Sequence, residues 1–198
     1  MRNAPHKPVV GKSTNCPAKV LTIGHSTRPI EAFIKMLQAY GVKRVMDVRT
    51  IPRSMHNPQF NRDVLPETLL REGIGYTHMA ELGGLRHARK DSLNTGWHNV
   101  SFRGFADYMQ TPDFTTGLKA LIQAAKLEQV VIMCAEAVPW RCHRSLIGDA
   151  LKAHGIEVED ILSENRKQAH EFTSFARVKG RRVTYPANAE PMPSGILA

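Results

Sequence analysis

Two cysteines separated by a short loop carry the strongest chemical signal in this chain. Cys134 ends an apolar run, Glu136 lies in the loop, and Cys142 is followed directly by His143 and Arg144. The thiolate is the reactive form of cysteine, and neighbouring cationic side chains favour it. We therefore predict that Cys142 is a nucleophile assisted by His143, and that Cys134 assists it or resolves an adduct.

The same loop lies where α/β proteins place their sites. Residues 130–133 are apolar and mostly β-branched, which predicts a buried strand that ends at Cys134. A helix is predicted over residues 142–154, so its N-terminal N–H groups would face the loop and favour an anion or a thiolate. In the alternative interpretation, Cys134 is a small apolar core residue, because free cysteine is often buried.

Other chemically active residues follow the ends of other predicted strands. Residues 20–24 and 45–48 are short apolar runs that lead into polar side chains. Because the carboxyl ends of parallel strands share one edge of a sheet, we expect these side chains to meet the thiols there. The predicted catalytic residues are Cys142, His143, Cys134, Glu136, His25 and Asp47, and the predicted substrate-binding residues are Arg49, Arg53, Gly83, Gly84 and Arg144. Three alternatives stay open: a turn capped by the ring of His25, a structural ion pair between Asp47 and Arg49, and a tight turn at the two glycines.

The alternation of short apolar runs with amphipathic segments predicts one α/β domain. Strands are predicted at residues 20–24, 45–48, 76–79, 130–134 and 157–162, and helices at 31–40, 62–72, 101–110, 113–126 and 142–154. Strand–helix–strand units pair in parallel, so the sheet should be mainly parallel with helices on both faces. We expect a disordered N-terminal segment over residues 1–18, the α/β domain over 19–163, and a basic C-terminal appendage over 164–198 with a short helix at 170–177.

Composition narrows the class of protein. The chain has 198 residues, a formal net charge of +9 and a pI near 9.7, which predicts an anionic small molecule or a nucleic acid as partner. The sequence lacks an apolar run long enough for a membrane span and an N-terminal secretory signal, so we expect a cytoplasmic protein without a membrane partner. Its three cysteines, including Cys16, suit reduced thiols better than a disulfide framework.

Five motifs, in this order along the chain, resemble those of the DUF488 family. They are Thr22-Ile23-Gly24-His25-Ser26, Asp47-Val48-Arg49 with Pro52 and Ser54, Leu82-Gly83-Gly84, Cys134-x-Glu136, and Cys142-His143-Arg144. The resemblance covers about residues 20–163. It implies the α/β fold of a family of uncharacterised, mostly bacterial and archaeal proteins, some of which carry a DNA-repair label. The motif residues suggest an enzyme and imply no particular reaction.

The favoured hypothesis is a cysteine-dependent or metal-assisted enzyme that acts on an anionic substrate, for example one derived from nucleic acid. A divalent metal would find suitable ligand types in Cys134, Cys142, His143, His25 and Asp47. The spacing lacks the CxxC pairs of structural zinc sites, so the fold would have to assemble any metal site. The metal, the reaction and the oligomeric state stay open.

A non-catalytic nucleic-acid-binding protein, associated with DNA repair, is the alternative function. Basic, polar and aromatic residues could form a rim that contacts phosphates and bases: Arg53, His56, Asn57, Arg86, His87, Arg89, Lys90, Trp97 and Trp140. No zinc finger or RNA-binding signature accompanies them. A solvated basic surface explains the same residues equally well.

Overall fold

A computed structural model describes residues 18–187 of the chain. The predictions for residues 1–17, which include Cys16 and the expected disordered segment, and for residues 188–198 lie outside the described residues. Within the described part, none of the helices combines the length and the apolar character that a membrane crossing needs.

Eight strands and five α-helices make up the described residues. The strands are β1 (Lys19–Gly24), β2 (Arg44–Asp47), β3 (Gly75–His78), β4 (Val130–Cys134), β5 (Glu157–Ser163), β6 (Arg166–Ala169), β7 (Arg177–Lys179) and β8 (Arg182–Thr184). The helices are α1 (Ile30–Ala39), α2 (Leu65–Arg71), α3 (Val100–Tyr108), α4 (Pro112–Leu127) and α5 (Arg144–Ala153). Every element predicted before residue 164 is present, with bounds that shift by three residues or fewer.

Six strands form one sheet in the order β3-β2-β4-β1-β5-β6. Strands β1 to β5 pair with one another in parallel, and β6 pairs with β5 in the antiparallel direction. All residues of β4 are buried, as expected for an inner strand covered on both faces. The register pairs Gly24 with Cys134 and Asp47 with Met133, so β1, β2 and β4 end at one level. The predicted mainly parallel sheet is confirmed.

Helices cover both faces of the sheet, as predicted. On one face, α1 and α2 bury Phe33 and Leu69 against the sheet. On the other face, α3, α4 and α5 bury Phe105, Leu121 and Leu146. Each such side chain contributes about 1.5–3 kcal/mol on burial, so the two apolar layers hold the strand ends in fixed positions.

The start of α5 differs from the prediction. The helix expected to begin at Cys142 begins at Arg144. A separate 3₁₀ turn that starts at Pro139 intervenes, and the Cys142 N–H donates to the Pro139 carbonyl at 2.9 Å. Cys142 therefore precedes the helix, and its surroundings depend on side chains more than on the helix dipole.

Residues 164–187, which belong to the predicted basic appendage, pack against the sheet and α5. Strand β6 extends the sheet, and β7 pairs with β8 in a hairpin. Residues 170–176 form irregular structure in place of the expected short helix. Ala176, Val183 and Tyr185 are buried in the same core as α5. Basic residues alternate with apolar ones along these short strands. The segment therefore has a basic composition although it contains buried apolar residues.

A buried ionic cluster fixes this segment to the domain. His170 Nε2 lies 3.0 Å from Asp149 of α5, and Nδ1 lies 3.3 Å from Asp160 of β5. The Tyr185 hydroxyl donates to Asp149 at 2.8 Å. Burial lowers the pKa of His170, but the hydrogen bonds and charges of the two carboxylates outweigh it and raise the pKa to about 9.

We expect the fold to lose stability at alkaline pH because of His170. Its pKa is about 9 in the folded chain against an ordinary value of 6.5, so the stabilisation is complete below pH 6.5 and is lost as the pH rises through 9. The contribution is on the order of 3 kcal/mol. Urea unfolding across this pH range should show the loss, and His170→Gln should remove it. Equal pH dependence in both proteins would contradict the assignment.

Candidate active site

The two cysteines of the described residues meet at the carboxyl edge of the sheet. Cys134 is the last residue of β4, and the chain returns through residues 135–141 to Cys142. Both thiols are free and buried. The two sulfur atoms and Nδ1 of His143 all lie within 4.8 Å of one another. The structure therefore brings the three side chains at the centre of the sequence hypothesis together.

A hydrogen bond of His143 shows which of its ring nitrogens carries a hydrogen. Nε2 lies 3.0 Å from the Val48 carbonyl, which only accepts, so Nε2 carries the hydrogen. Nδ1 can then accept a proton from a thiol and donate it back to the thiolate, and it lies 3.6 Å from the sulfur of Cys142 and 3.9 Å from that of Cys134. Because β2 ends beside β4, the Val48 carbonyl directs the imidazole lone pair at both thiols.

Arg144 places a buried positive charge beside the thiols. Its side chain is 1 % exposed and donates to the Thr22 hydroxyl at 3.3 Å and to the Glu136 carbonyl at 2.6 Å. Its Nε lacks a hydrogen-bond partner, and within residues 18–187 no carboxylate forms an ion pair with it. Burial of a charge is costly unless an opposite charge lies near, and a thiolate supplies one.

The two thiols are not equivalent. A hydrogen bond from Cys134 lowers the pKa of the Cys142 thiol well below its ordinary value, and His143 and Arg144 act in the same direction. The same hydrogen bond, together with burial, raises the pKa of Cys134. The pair therefore favours one negative charge, mainly on Cys142, and one hydrogen, mainly on Cys134.

Arg49 is held by a second buried network. Its Nε and Nη2 donate to the two carboxylate oxygens of Asp47 at 2.9 and 2.6 Å. Nη2 also donates to the Phe60 carbonyl at 2.7 Å, and the Tyr76 hydroxyl donates to Asp47 at 2.7 Å. The ion pair left open by the sequence is present. Asp47 is fully buried, so its carboxylate contacts Arg49 and Tyr76 and is shielded from the cavity.

His25 completes the support of Arg49. Its ring stacks on Phe60 with the centroids 4.2 Å apart, and Nδ1 donates to the Ser26 carbonyl at 2.8 Å. Nε2 therefore accepts from Nη1 of Arg49 at 3.2 Å. Burial lowers the pKa of His25 to about 4, so the ring is neutral near pH 7. Both ring nitrogens are engaged, which leaves neither free to bind a metal or accept a substrate proton.

A cavity of ≈ 280 Å³ opens in front of the thiols. Six of the predicted site residues line it: Cys134, Cys142, His143, Glu136, Arg49 and Gly84. An adjoining groove of ≈ 300 Å³ is lined by Arg53 and His25, and it shares Arg49 and Glu136 with the cavity. The remaining three predicted residues, Asp47, Gly83 and Arg144, are buried behind these surfaces.

The loop that carries the two glycines packs closely against the site. A Cβ at Gly84 would lie 2.5 Å from Nδ1 of His143, and a Cβ at Gly83 would lie 2.6 Å from Oγ1 of Thr50. Side chains at these positions would displace their neighbours. The two glycines therefore permit the close approach of the loop to the His143 imidazole and to Thr50. This role is independent of any contact between Gly84 and a substrate.

Three aromatic residues of the site were not predicted. Phe60 supports His25, Tyr76 binds Asp47, and Phe102 of α3 lines the cavity. Tyr76 reaches Asp47 because β3 lies beside β2 in parallel register. Sheet order is the signal that would have identified Tyr76, whereas no local pattern marks the other two.

The residues of the predicted nucleic-acid rim divide into engaged and exposed ones. Arg86 lies over the Tyr108 ring, 3.6 Å from its centroid, and Arg89 forms an exposed ion pair. Trp97 stacks within an aromatic group. Trp140, at the edge of the thiol loop, is 60 % exposed.

Together these features define an α/β protein with a thiol pair, an imidazole and two buried arginines at the carboxyl edge of its sheet. The family model described as Domain of unknown function DUF488 matches residues 29–151, more than half of the chain, and the chain belongs to this family. The match includes both cysteines of the site and His143, and it begins after His25. No curated protein and no solved structure matches the chain.

We expect Gly84→Ala to impair thiol reactivity more than the fold. The added methyl group would displace His143, so Cys142 should react more slowly with iodoacetamide. Gly155→Ala is the control, because its positive φ of 75° costs on the order of 1 kcal/mol while an added Cβ there contacts nothing within 4 Å. Unchanged alkylation in Gly84→Ala would show that the close approach is irrelevant to the thiols.

Proposed function

We propose that this protein is a cysteine-dependent enzyme that acts on an anionic substrate. One observation carries the proposal: the imidazole lone pair of His143 faces two thiols beside the buried, unpaired guanidinium of Arg144. A nucleophilic thiol needs an adjacent base or a positive environment, and this cluster supplies both. A core cysteine needs neither.

Each side chain has a role that follows from its contacts. The Cys142 thiolate attacks an electrophilic centre of the substrate, and the leaving group takes a proton. Nδ1 of His143 holds the proton that the thiol releases, since Nε2 remains bonded to the Val48 carbonyl. Cys134 donates a hydrogen bond to the thiolate, and the exposed Glu136 at the mouth of the cavity accepts or supplies a proton.

Arginines support recognition of an anion. Arg49 lines both the cavity and the adjoining groove, with Asp47 and His25 fixing its orientation. Arg141 lines the cavity and Arg53 the groove, and both are exposed. A substrate with two anionic groups, or a charged group next to a reacting centre, would fit this arrangement.

A nucleic-acid-derived substrate is the second candidate. The specific observation in its favour is Trp140, which is exposed beside Arg141 at the edge of the thiol loop. Exposed aromatic rings stack with bases, and arginines bind the adjoining phosphates. The same surface would serve a non-catalytic nucleic-acid-binding protein, so thiol reactivity and polyanion binding must be tested separately.

We expect Cys142 to be the more reactive thiol of the pair. Because its pKa is lowered and that of Cys134 is raised, iodoacetamide near neutral pH should label Cys142 first, as peptide mapping by mass spectrometry would show. Cys142→Ser should abolish turnover and leave the fold intact. Arg144→Met should move the midpoint of the alkylation pH profile upward, because a positive charge that lowers the pKa of Cys142 is removed, and Arg144→Lys should restore most of it.

Two results would contradict this assignment. Preferential labelling of Cys134 would make it the nucleophile. A Cys142→Ser variant that loses stability while the wild-type thiol resists alkylation would make Cys142 structural. Thermal unfolding of each variant separates these cases from simple misfolding.

We expect polyanion binding to involve the exposed arginines at the mouth. Arg53→Gln combined with Arg141→Gln should weaken binding of a labelled single-stranded oligonucleotide, measured by fluorescence anisotropy. Loss of two phosphate contacts should reduce the slope of log affinity against log salt by about 1.4. Lys119→Gln with Lys126→Gln, on exposed positions of α4, is the charge-matched control. Equal slopes in the two double variants would place the contacts elsewhere.

A further inference from the structure

We propose that Cys134, Cys142 and His143 form a binding site for Zn²⁺, and that the bound ion masks the nucleophilic thiolate. Two thiolates and one imidazole leave the fourth tetrahedral position open, as in zinc sites that keep a water or substrate ligand. Within residues 18–187, these three side chains are the group whose donor atoms lie close enough to hold one ion. The site stands whether or not the protein is an enzyme.

The separations between donor atoms fit this geometry. Zinc–sulfur and zinc–nitrogen bonds of about 2.3 and 2.0–2.1 Å at a tetrahedral angle place sulfur and nitrogen about 3.6 Å apart. Nδ1 of His143 lies 3.6 Å from the sulfur of Cys142 and 3.9 Å from that of Cys134. Both nitrogen–sulfur separations are thus close to the tetrahedral value, and the two sulfurs lie within 4.8 Å of each other.

The surroundings prepare the donors for a metal. The Val48 carbonyl accepts from Nε2 of His143, so the lone pair of Nδ1 points toward the sulfurs. Outer hydrogen bonds of this kind orient metal-binding imidazoles in other proteins. Gly84 leaves room for the ring to take this position.

The donor set selects the kind of ion. Thiolates and imidazole favour Zn²⁺ over Mg²⁺ or Ca²⁺, which prefer oxygen ligands. Two thiolates also neutralise a divalent charge without a carboxylate. The wider ligand set inferred from the sequence is reduced, since Asp47 is paired with Arg49 and both nitrogens of His25 are engaged.

Coordination would regulate the thiol chemistry directly. A metal-bound thiolate is held from an electrophile until the ion leaves. The zinc-bound protein is then a protected form, and removal of zinc exposes Cys142. The alkylation rate of Cys142 thus reports the fraction of the protein that carries zinc, and the measurement requires no substrate.

The test uses the full chain, with Cys16→Ser in every protein so that this thiol contributes nothing. Metal-free protein is titrated with Co²⁺, whose thiolate-to-metal charge-transfer absorption and intense visible bands report tetrahedral sulfur coordination. Zn²⁺ affinity is measured by competition with a chromogenic chelator. We expect one ion per chain, bleaching of the cobalt bands by Zn²⁺, and protection of Cys142 from iodoacetamide that chelator reverses.

Variants assign the ligands. Cys134→Ser, Cys142→Ser and His143→Gln should each weaken Zn²⁺ binding by more than the roughly 10- to 100-fold that loss of an outer hydrogen-bond partner costs. His98→Gln, which removes an exposed histidine outside the cluster, should bind as tightly as the parent. The cobalt spectrum and the protection assay need only the parent protein, so poor folding of a variant leaves the proposal testable.

The outcomes separate this proposal from the proposed function. Absence of the charge-transfer band, with fast Cys142 alkylation in the metal-free protein, would overturn the zinc site and leave the thiol enzyme standing. Stoichiometric zinc binding with Cys142 unreactive after chelation would support the site and contradict the thiol enzyme. Zinc binding that is lost in His98→Gln and kept in Cys142→Ser would show surface binding only and overturn the proposal.

Discussion

The arrangement of this site depends on a buried guanidinium that has no carboxylate partner among the described residues. Arg144 is closed off from solvent by β1, the thiol loop and α5, and it binds only a hydroxyl and a carbonyl oxygen, both neutral acceptors. Desolvation of such a charge costs several kcal/mol unless another charge compensates it. The two thiols are nearby groups that can become anionic, and the charge of Arg144 acts to lower the pKa of each.

The two buried arginines differ in whether a carboxylate balances their charge. Arg49 is matched by the carboxylate of Asp47, so the pair is neutral, and Arg49 lines the cavity. Arg144 is unmatched, so its main effect is electrostatic. The two arginines therefore differ in how their charges are matched, although the sequence analysis assigned the same substrate-binding role to both.

The fold and the location of the site could be predicted from the sequence because both depend on local periodicity. Short strand-like segments between predicted helices and turns identified all five parallel strands, and parallel pairing alone brings Gly24, Asp47 and Cys134 to one edge. The roles of His25 and Arg144 could not be predicted in this way. These roles depend on the partner that each polar atom contacts. Phe60 contacts His25 and Thr22 contacts Arg144 only because of tertiary packing.

The contacts of residues 164–187 could not be predicted from local periodicity either, and they extend toward the side chain of Arg144. Thr22 donates to Asp160 at 2.6 Å, which leaves its hydroxyl oxygen free to accept from Arg144. His170 binds the other oxygen of Asp160, and its raised pKa keeps a positive charge there. A hydrogen-bonded chain therefore runs from the His170 imidazole through the Asp160 carboxylate and the Thr22 hydroxyl to the Arg144 guanidinium. Residues outside the matched family region thus help to hold the Arg144 side chain, which lies within that region.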